Sequence, residues 1–424
     1  MVLMNYLECL CKGLLVEMIE NSLSYLEDHG SMICLQSPFS RPPQIPATPG
    51  FDFNEALENL FPLTDMICVH LEYQDLLSVS DISDTWKISA KKELSKRDKI
   101  SWICLNGSQI EMSDNFKEMD RRNSLFFYAF PNLVLNKEVC MHKDEAESMP
   151  FYAFLDEHIM RQHKYSKNYA CISVKDIPLC EIGKKKTKLS TYYCIGVMFP
   201  VIPNIRILKF YYKLNPATNI KDILRNDEVV KALIVFGITN PKKELKKLNK
   251  DLRAWQGDTF ALGGGLVWGI NVISPHRQSF VMPSSLYCIA FVEENRFDHT
   301  FFSATAIIRE SHSFEFRLNS FQQSVEHREQ SVMFRFCCIE KIENLEDKLI
   351  RYYFPNIVLI PMRVNGEIGY DYNWRYSKTP KPVFNHRDGS GFCLEYTTVL
   401  VYLTWGDLVK PQKGPRPKEL DEMF

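Results

Sequence analysis

Three consecutive glycines inside residues 260–270, FALGGGLVWGI, could let the backbone close around a phosphate. A dinucleotide-binding turn needs glycine at its first, third and sixth positions, the last for packing a helix on a strand. Gly263 and Gly265 meet the first two requirements, but Trp268 holds the sixth and Gly269 comes one step late. No G-x-x-x-x-G-K-[ST] run occurs either, so the stretch is expected to be a tight crossing between a helix and a strand, and no cofactor is expected. His158 and His163 stand five apart in a helical region, off the spacing that sets two ligands on one helix face, and no metal is expected. A nucleophile elbow G-x-S-x-G is missing, and no acid pair sits in an apolar motif that would tune it, so a non-catalytic protein is expected.

Other groups carry chemistry of a softer kind. Cys337 and Cys338 end an apolar run; they could form a reactive or metal-sensing pair, or one could be buried and the other half-exposed. The lysine runs at 184–188 and 242–247 could serve nuclear import or nucleic-acid contact, and solvated loop and helix faces explain them equally well. In residues 361–371, PMRVNGEIGYD, Asn365-Gly366 is a strong turn signal, and Glu367 is expected to project from the tip. That turn either joins two strands or offers Asn365, Gly366 and Glu367 to a protein substrate.

The elements that would position these groups follow from composition and period. A chain of 424 residues exceeds most single cores, and 45% hydrophobic with 24% charged residues is a globular composition. With 51 basic against 52 acidic residues no whole-molecule field draws the chain to nucleic acid or to an anionic membrane, so neither is expected as a partner. The 13 cysteines lack a paired rhythm and no secretory leader is read before them, which suits reduced thiols in the cytoplasm or nucleus. Residues 1–36 read as an amphipathic helix and 37–52 as a proline-rich linker. Over 53–98 the apolar residues recur at helical spacing, with Pro62 suited to a first turn and Asp75 to a cap.

From residue 100 onward apolar strand patterns alternate with helices. Strands are expected from Thr191, Ile205, Lys231, Tyr287, Thr300 and Ser331, and over 395–406, where side chains alternate between two faces. One helix should turn Leu245, Leu248, Leu252 and Trp255 to a single side, and a second Ile342, Leu345 and Leu349. The fold class is therefore α+β, a small helical unit followed by a mixed α/β body. A Pro-Asn pair is expected to precede an apolar strand at three places, near Tyr128, Met198 and Tyr352. The tail 411–424 is rich in proline and charge and is expected to be disordered.

Residues 59–86, NLFPLTDMICVHLEYQDLLSVSDISDTW, resemble an F-box: a proline near the first helix, a leucine pair after a short turn, a tryptophan closing the next helix. Further on, RYYFPNIVLIPMRVNGEIGYD and EYTTVLVYLTWG resemble the FIST domain of F-box proteins that carry one, and VMFPVIPNIRILKFYY, KALIVFGITN and FALGGGLVWG fall in the same order. The resemblance spans about 59–410 and implies two FIST-like halves, 99–213 and 214–410. It implies a substrate receptor of an SCF ubiquitin ligase, bound to a Skp-type adaptor and through it to a cullin scaffold. It assigns Leu63, Ile67, Leu71, Leu76, Leu77, Ile82 and Trp86 to the F-box core and its adaptor surface. Bacterial FIST domains imply the alternative of a small-molecule sensor. Asp81 and Asp84 depart from the small or basic residues usual near the final tryptophan.

Overall fold

The computed structural model describes residues 61–416 apart from 72, 98, 107–108, 114–124, 135–137, 141–147, 152, 154–168, 179–193, 215–216, 240, 258, 271–284, 295–299, 310–313, 339–344, 371–392 and 395–396. The helix and linker read over 1–52, with His158, His163 and the lysines of 184–188, lie outside the described residues. The chain divides into two compact units, 1–95 and 96–424.

The first unit has helices α1 (Phe61–His70), α2 (Tyr73–Val79) and α3 (Asp84–Arg97). Pro62 stands in the first turn of α1, where its missing N–H costs nothing. Asp75 lies within the first turn of α2 rather than capping it, and there its charge complements the helix dipole. Trp86, expected to close a helix, stands instead in the first turn of α3, and with Ile67, Cys68, Leu71, Leu76, Val79 and Ala90 it forms a small core against which Leu94 packs. Thr64 and Ser89 share a buried hydroxyl–hydroxyl hydrogen bond at 2.8 Å, and Lys92 pairs with Asp65 across the outside.

The second unit is built mostly of strands. It begins with β1 (Ser101–Asn106), β2 (Gln109–Met112), β3 (Leu125–Pro131), β4 (Glu138–Cys140), β5 (Ser148–Pro150), β6 (Tyr169–Val174) and β7 (Cys194–Phe199). There follow β8 (Ile205–Lys213), β9 (Val229–Gly237), α4 (Lys242–Gln256), β10 (Ala261–Leu266), β11 (Gly269–Ile270) and β12 (Ser285–Glu293). The rest is β13 (Phe301–Ile308), α5 (Phe314–Ser324), β14 (Arg328–Cys338), α6 (Leu345–Tyr353), β15 (Val358–Val364), β16 (Glu367–Gly369), β17 (Cys393–Leu394) and β18 (Thr398–Leu408). Three mixed sheets result, ordered β11-β6-β3-β7-β1-β2, β17-β16-β10-β9-β12-β8 and β13-β18-β14-β15, with β4 and β5 paired apart. The α+β class holds. None of the described helices is long and apolar enough to cross a membrane.

Two crossovers give this unit its frame. β9 and β10 run parallel with α4 between them in sequence, and β14 and β15 run parallel around α6. β9 and β15 read as nearly continuous apolar runs, as strands covered on both faces must, and β14 does so from Val332 onward apart from Arg335. α4 turns Leu245, Leu248 and Leu252 inward.

The glycines belong to a strand interior. β10 is laddered to β9 on one side and to β16 on the other, so this stretch is a central strand and not a crossing between helix and strand. A β-carbon at Gly263 would sit 2.1 Å from a methyl of Val401, and one at Gly265 2.6 Å from Val364. Side chains there would force the second and third sheets apart. Phe199 of the first sheet meets Phe291 of the second at 5.3 Å and Phe334 of the third at 6.1 Å, so all three share one core. The halves 99–213 and 214–410 exchange strands across their border: β8 pairs with β12, and β11 with β6.

Two Pro-Asn pairs do precede strands, with Asn204 at φ 58 just ahead of β8. At Pro131-Asn132 the order is reversed: β3 ends and a 3-10 turn begins. The tail needs a larger correction. Residues 409–416 are placed along the body by main-chain hydrogen bonds, Val409 N–H to His327 O at 2.9 Å and Gly414 N–H to Tyr352 O at 2.7 Å. These bonds supply the order that composition alone does not announce.

Candidate functional site

The helical unit sorts the seven assigned positions by burial. Ile67, Leu71, Leu76 and Trp86 are buried in the unit's own core and present no contact surface. Leu77 and Ile82 are each 41% exposed, and the side chain of Leu63 lies outside the described residues. Met66, Val69 and Ile88 are exposed as well, which the helical period left unassigned. A unit of three short helices with five large apolar side chains in solvent shows more such surface than its thin interior can hide. Asp81 and Asp84 add acidity between α2 and α3.

In the body, the carboxyl ends of four strands meet. Trp268 N–H donates to Ser173 O at 2.8 Å and Val267 N–H to Gly237 O at 2.8 Å, tying the segment after β10 to the ends of β6 and β9. Leu266 N–H donates to Gly366 O and Asn365 N–H to Leu266 O, which fastens the turn after β15 to the end of β10. Lys175 N–H donates to Arg363 O and Arg363 N–H to Asp176 O, and their side chains add an Arg363–Asp176 ion pair at 3.3 Å. Trp268 is half-exposed on this rim with the Lys175 ammonium 5.7 Å above its ring. Open α/β sheets place ligands outside the carboxyl ends of their parallel strands, and this rim is such a place. Sequence reasoning used Trp268 only to dismiss a fingerprint; an indole beside glycines after a buried strand was the available signal.

The Asn365-Gly366 turn is only partly the projection expected. Asn365 is exposed and Gly366 half-buried, but Glu367 is fully buried and accepts from the Thr397 hydroxyl at 3.1 Å. The turn does not close a hairpin: β15 belongs to the third sheet and β16 to the second, so the residue after the turn enters the space between sheets. A protein substrate could touch Asn365 and Gly366; it could not touch Glu367.

Beneath the start of α6 lies an ionic cluster that the sequence reading did not mark. Arg335, fully enclosed on β14, donates from Nε and Nη2 to Glu346 Oε2 at 3.2 and 2.7 Å and from Nη1 to Asp347 Oδ1 at 2.9 Å. Thr398 Oγ1 donates to the same Glu346 oxygen at 2.9 Å, while Asp347 Oδ2 has no hydrogen-bond partner among the described residues. Burial raises the Asp347 carboxyl above the ordinary range, against the opposing pull of Arg335. The signal was a lone arginine in the apolar run SVMFRFCCI and an acid pair in ENLEDKL.

The two adjacent thiols divide as the plainer reading expects: Cys337 is buried and Cys338 half-exposed. Burial pushes the Cys337 thiol up to about 11, with Arg335 opposing, so it stays protonated near neutrality. Cys171, Cys194 and Cys288 are likewise raised by burial, the first opposed by Lys209. Lys242, Lys243 and Lys246 of the 242–247 run point to solvent from α4. Searches against protein-family models and against curated proteins find no match to this chain.

Proposed function

We propose that this chain is the substrate-recognition subunit of an SCF-type E3 ubiquitin ligase, its helical unit an F-box that binds a Skp-type adaptor and its FIST-like body the holder of the protein substrate. The observation that carries the reading is the unit of α1–α3: it has a core of its own, and it leaves Met66, Val69, Leu77, Ile82 and Ile88 in water. Exposed apolar side chains on short helices dock into apolar grooves, and a few of them dominate the affinity. The rim of Trp268, Lys175 and Asn365 suits the capture of a protein surface, since an exposed tryptophan is among the residue types that anchor such contacts. In this reading the protein works in the cytoplasm and nucleus and performs no chemistry itself; the cullin-bound partners transfer ubiquitin.

Co-purification with a Skp-type adaptor and a cullin tests the proposal. Leu77→Asp with Ile82→Asp is expected to abolish the pull-down while thermal stability stays put, because both side chains already face water. A wild-type chain that ignores both partners sinks it. The crevice at the strand ends favours one second reading, a small-molecule sensor. It predicts a rise in Tm with a metabolite at saturation, and a flat response across a broad panel removes it.

A further inference from the structure

Residues 409–416 lie as an extended strap on α5, α6 and the turn into β15, gripped in a pattern that suits a peptide ligand. Gln322 Nε2 donates to Gln412 O at 3.2 Å, and Gly414 N–H donates to Tyr352 O at 2.7 Å, so alternate residues of the strap are held by their main chain. Between them Lys413 sets its ammonium 4.7 Å from the ring centre of Tyr353, 5.6 Å from that of Tyr352 and 3.4 Å from Asn319 Oδ1. At Gly414 a β-carbon would come within 3.1 Å of Arg351 O and 3.3 Å of the Pro355 side chain. The groove therefore distinguishes two neighbouring residue types on an extended backbone, a lysine and then a glycine.

The grip is shallow. Gly414 is half-buried while the rest of 410–416 faces solvent, and none of these residues sinks an apolar side chain into the body. Between strap and body remains a cavity of about 160 Å³. Its walls include His327, Phe354 and Tyr402, the imidazole stacked on Phe354 at 5.6 Å and Phe354 lying 5.4 Å from Tyr402. A tethered segment needs little intrinsic affinity to stay docked, because its effective concentration reaches the millimolar range.

We infer that this groove is a docking site for an extended partner peptide bearing Lys-Gly, and that residues 409–416 occupy it in cis until such a partner displaces them. The inference stands apart from the adaptor reading, which concerns the other unit.

The test measures fluorescence anisotropy of a labelled synthetic peptide with the sequence of residues 408–417, LVKPQKGPRP, against the full-length chain. Gly414→Val, which crowds the strap out of the groove, is expected to bind the peptide at least about tenfold more tightly than wild type, since the competing tether is gone. Replacing the peptide's second lysine, the one before the glycine, by alanine is expected to weaken that binding about fivefold through the lost cation–π contact. Adding Tyr353→Ala to the released chain should remove it. Should Gly414→Val lose its fold by circular dichroism, Lys413→Glu in the full chain releases the strap and carries the same comparison. A folded, released variant that ignores the peptide, or that binds lysine and alanine peptides alike, overturns the inference. So does a shift to dimer on release, which would make the groove a place where copies exchange straps.

Discussion

The two crossovers of the body have one connectivity and place their polar bonds differently. β9–α4–β10 buries Leu245, Leu248 and Leu252 beneath its helix and keeps its directed bonds at the partly exposed margin, Tyr212 Oη to Asp251 Oδ2 at 2.6 Å and Gln256 with the main chain of Val230 at 2.7 Å. β14–α6–β15 also buries Leu349 and Ile350, but it closes the start of its helix over Arg335, Glu346 and Asp347, where donors and acceptors must meet in one geometry. Both helices are held by apolar contact and by directed bonds; those of α4 lie where water can replace them, and those of α6 are enclosed, where nothing else can. The pair shows that a shared topology leaves the choice between these open.

The sharpest way to break the contrast is Arg335→Ala. It strands two buried carboxylates and is expected to destabilise the body by about 3–5 kcal/mol, read by urea unfolding. Leu248→Ala in the other crossover leaves a cavity and should cost about 2–4 kcal/mol. If the two losses are equal and salt alters neither, the ionic cluster is only another patch of packing. Gly263→Ala probes the seam where β10 meets the third sheet: crowding against Val401 is expected to cost about 1–3 kcal/mol. Val401→Ala in the same chain should restore most of it, and a double-mutant cycle measures the coupling.

The two carboxylates should differ from each other. Glu346→Gln disturbs an oxygen that accepts three hydrogen bonds, whereas Asp347→Asn touches a group with one bond and one bare oxygen, so Glu346→Gln is the costlier by about 1–2 kcal/mol. Asp347 also carries a pH signature. Its folded carboxyl binds its proton more tightly than the unfolded one, so its contribution is favourable below the ordinary value near 4 and is lost as pH rises through the raised one. Wild type should therefore lose stability relative to Asp347→Asn between pH 4 and neutrality, by denaturant midpoints taken across that range. A constant difference would mean that Arg335 holds Asp347 ionised throughout.

Much of this frame was legible in the residues. The β-rich runs from Ile205, Lys231, Tyr287, Thr300 and Ser331 all fall on strands: β9, β12 and β14 are central in their sheets and apolar on both faces, while β8 and β13 are edges whose apolar and β-branched residues still favour a strand. α4 was equally plain from its leucines. α5 was not anticipated, although Phe314, Leu318 and Phe321 share its inner face; Phe316, exposed between them, blurs the period. Glu367 was misplaced because a turn signal states the local backbone shape and is silent about which sheets it connects. The strap was read as disorder because its order comes from main-chain groups, which every sequence possesses alike. In the helical unit the period identified an apolar face but did not separate Leu76, which faces in, from Leu77, which faces out.

The rim where β6, β9, β10 and β15 end is laced almost wholly by peptide groups, residue to residue, across Ser173, Gly237, Leu266 and Gly366. Its contour is thus independent of the identities displayed on it. Trp268, Lys175 or Asn365 can be exchanged without unpicking the lacing, so a descendant of this protein can acquire a new clientele through a handful of surface replacements while the architecture underneath stays as it is.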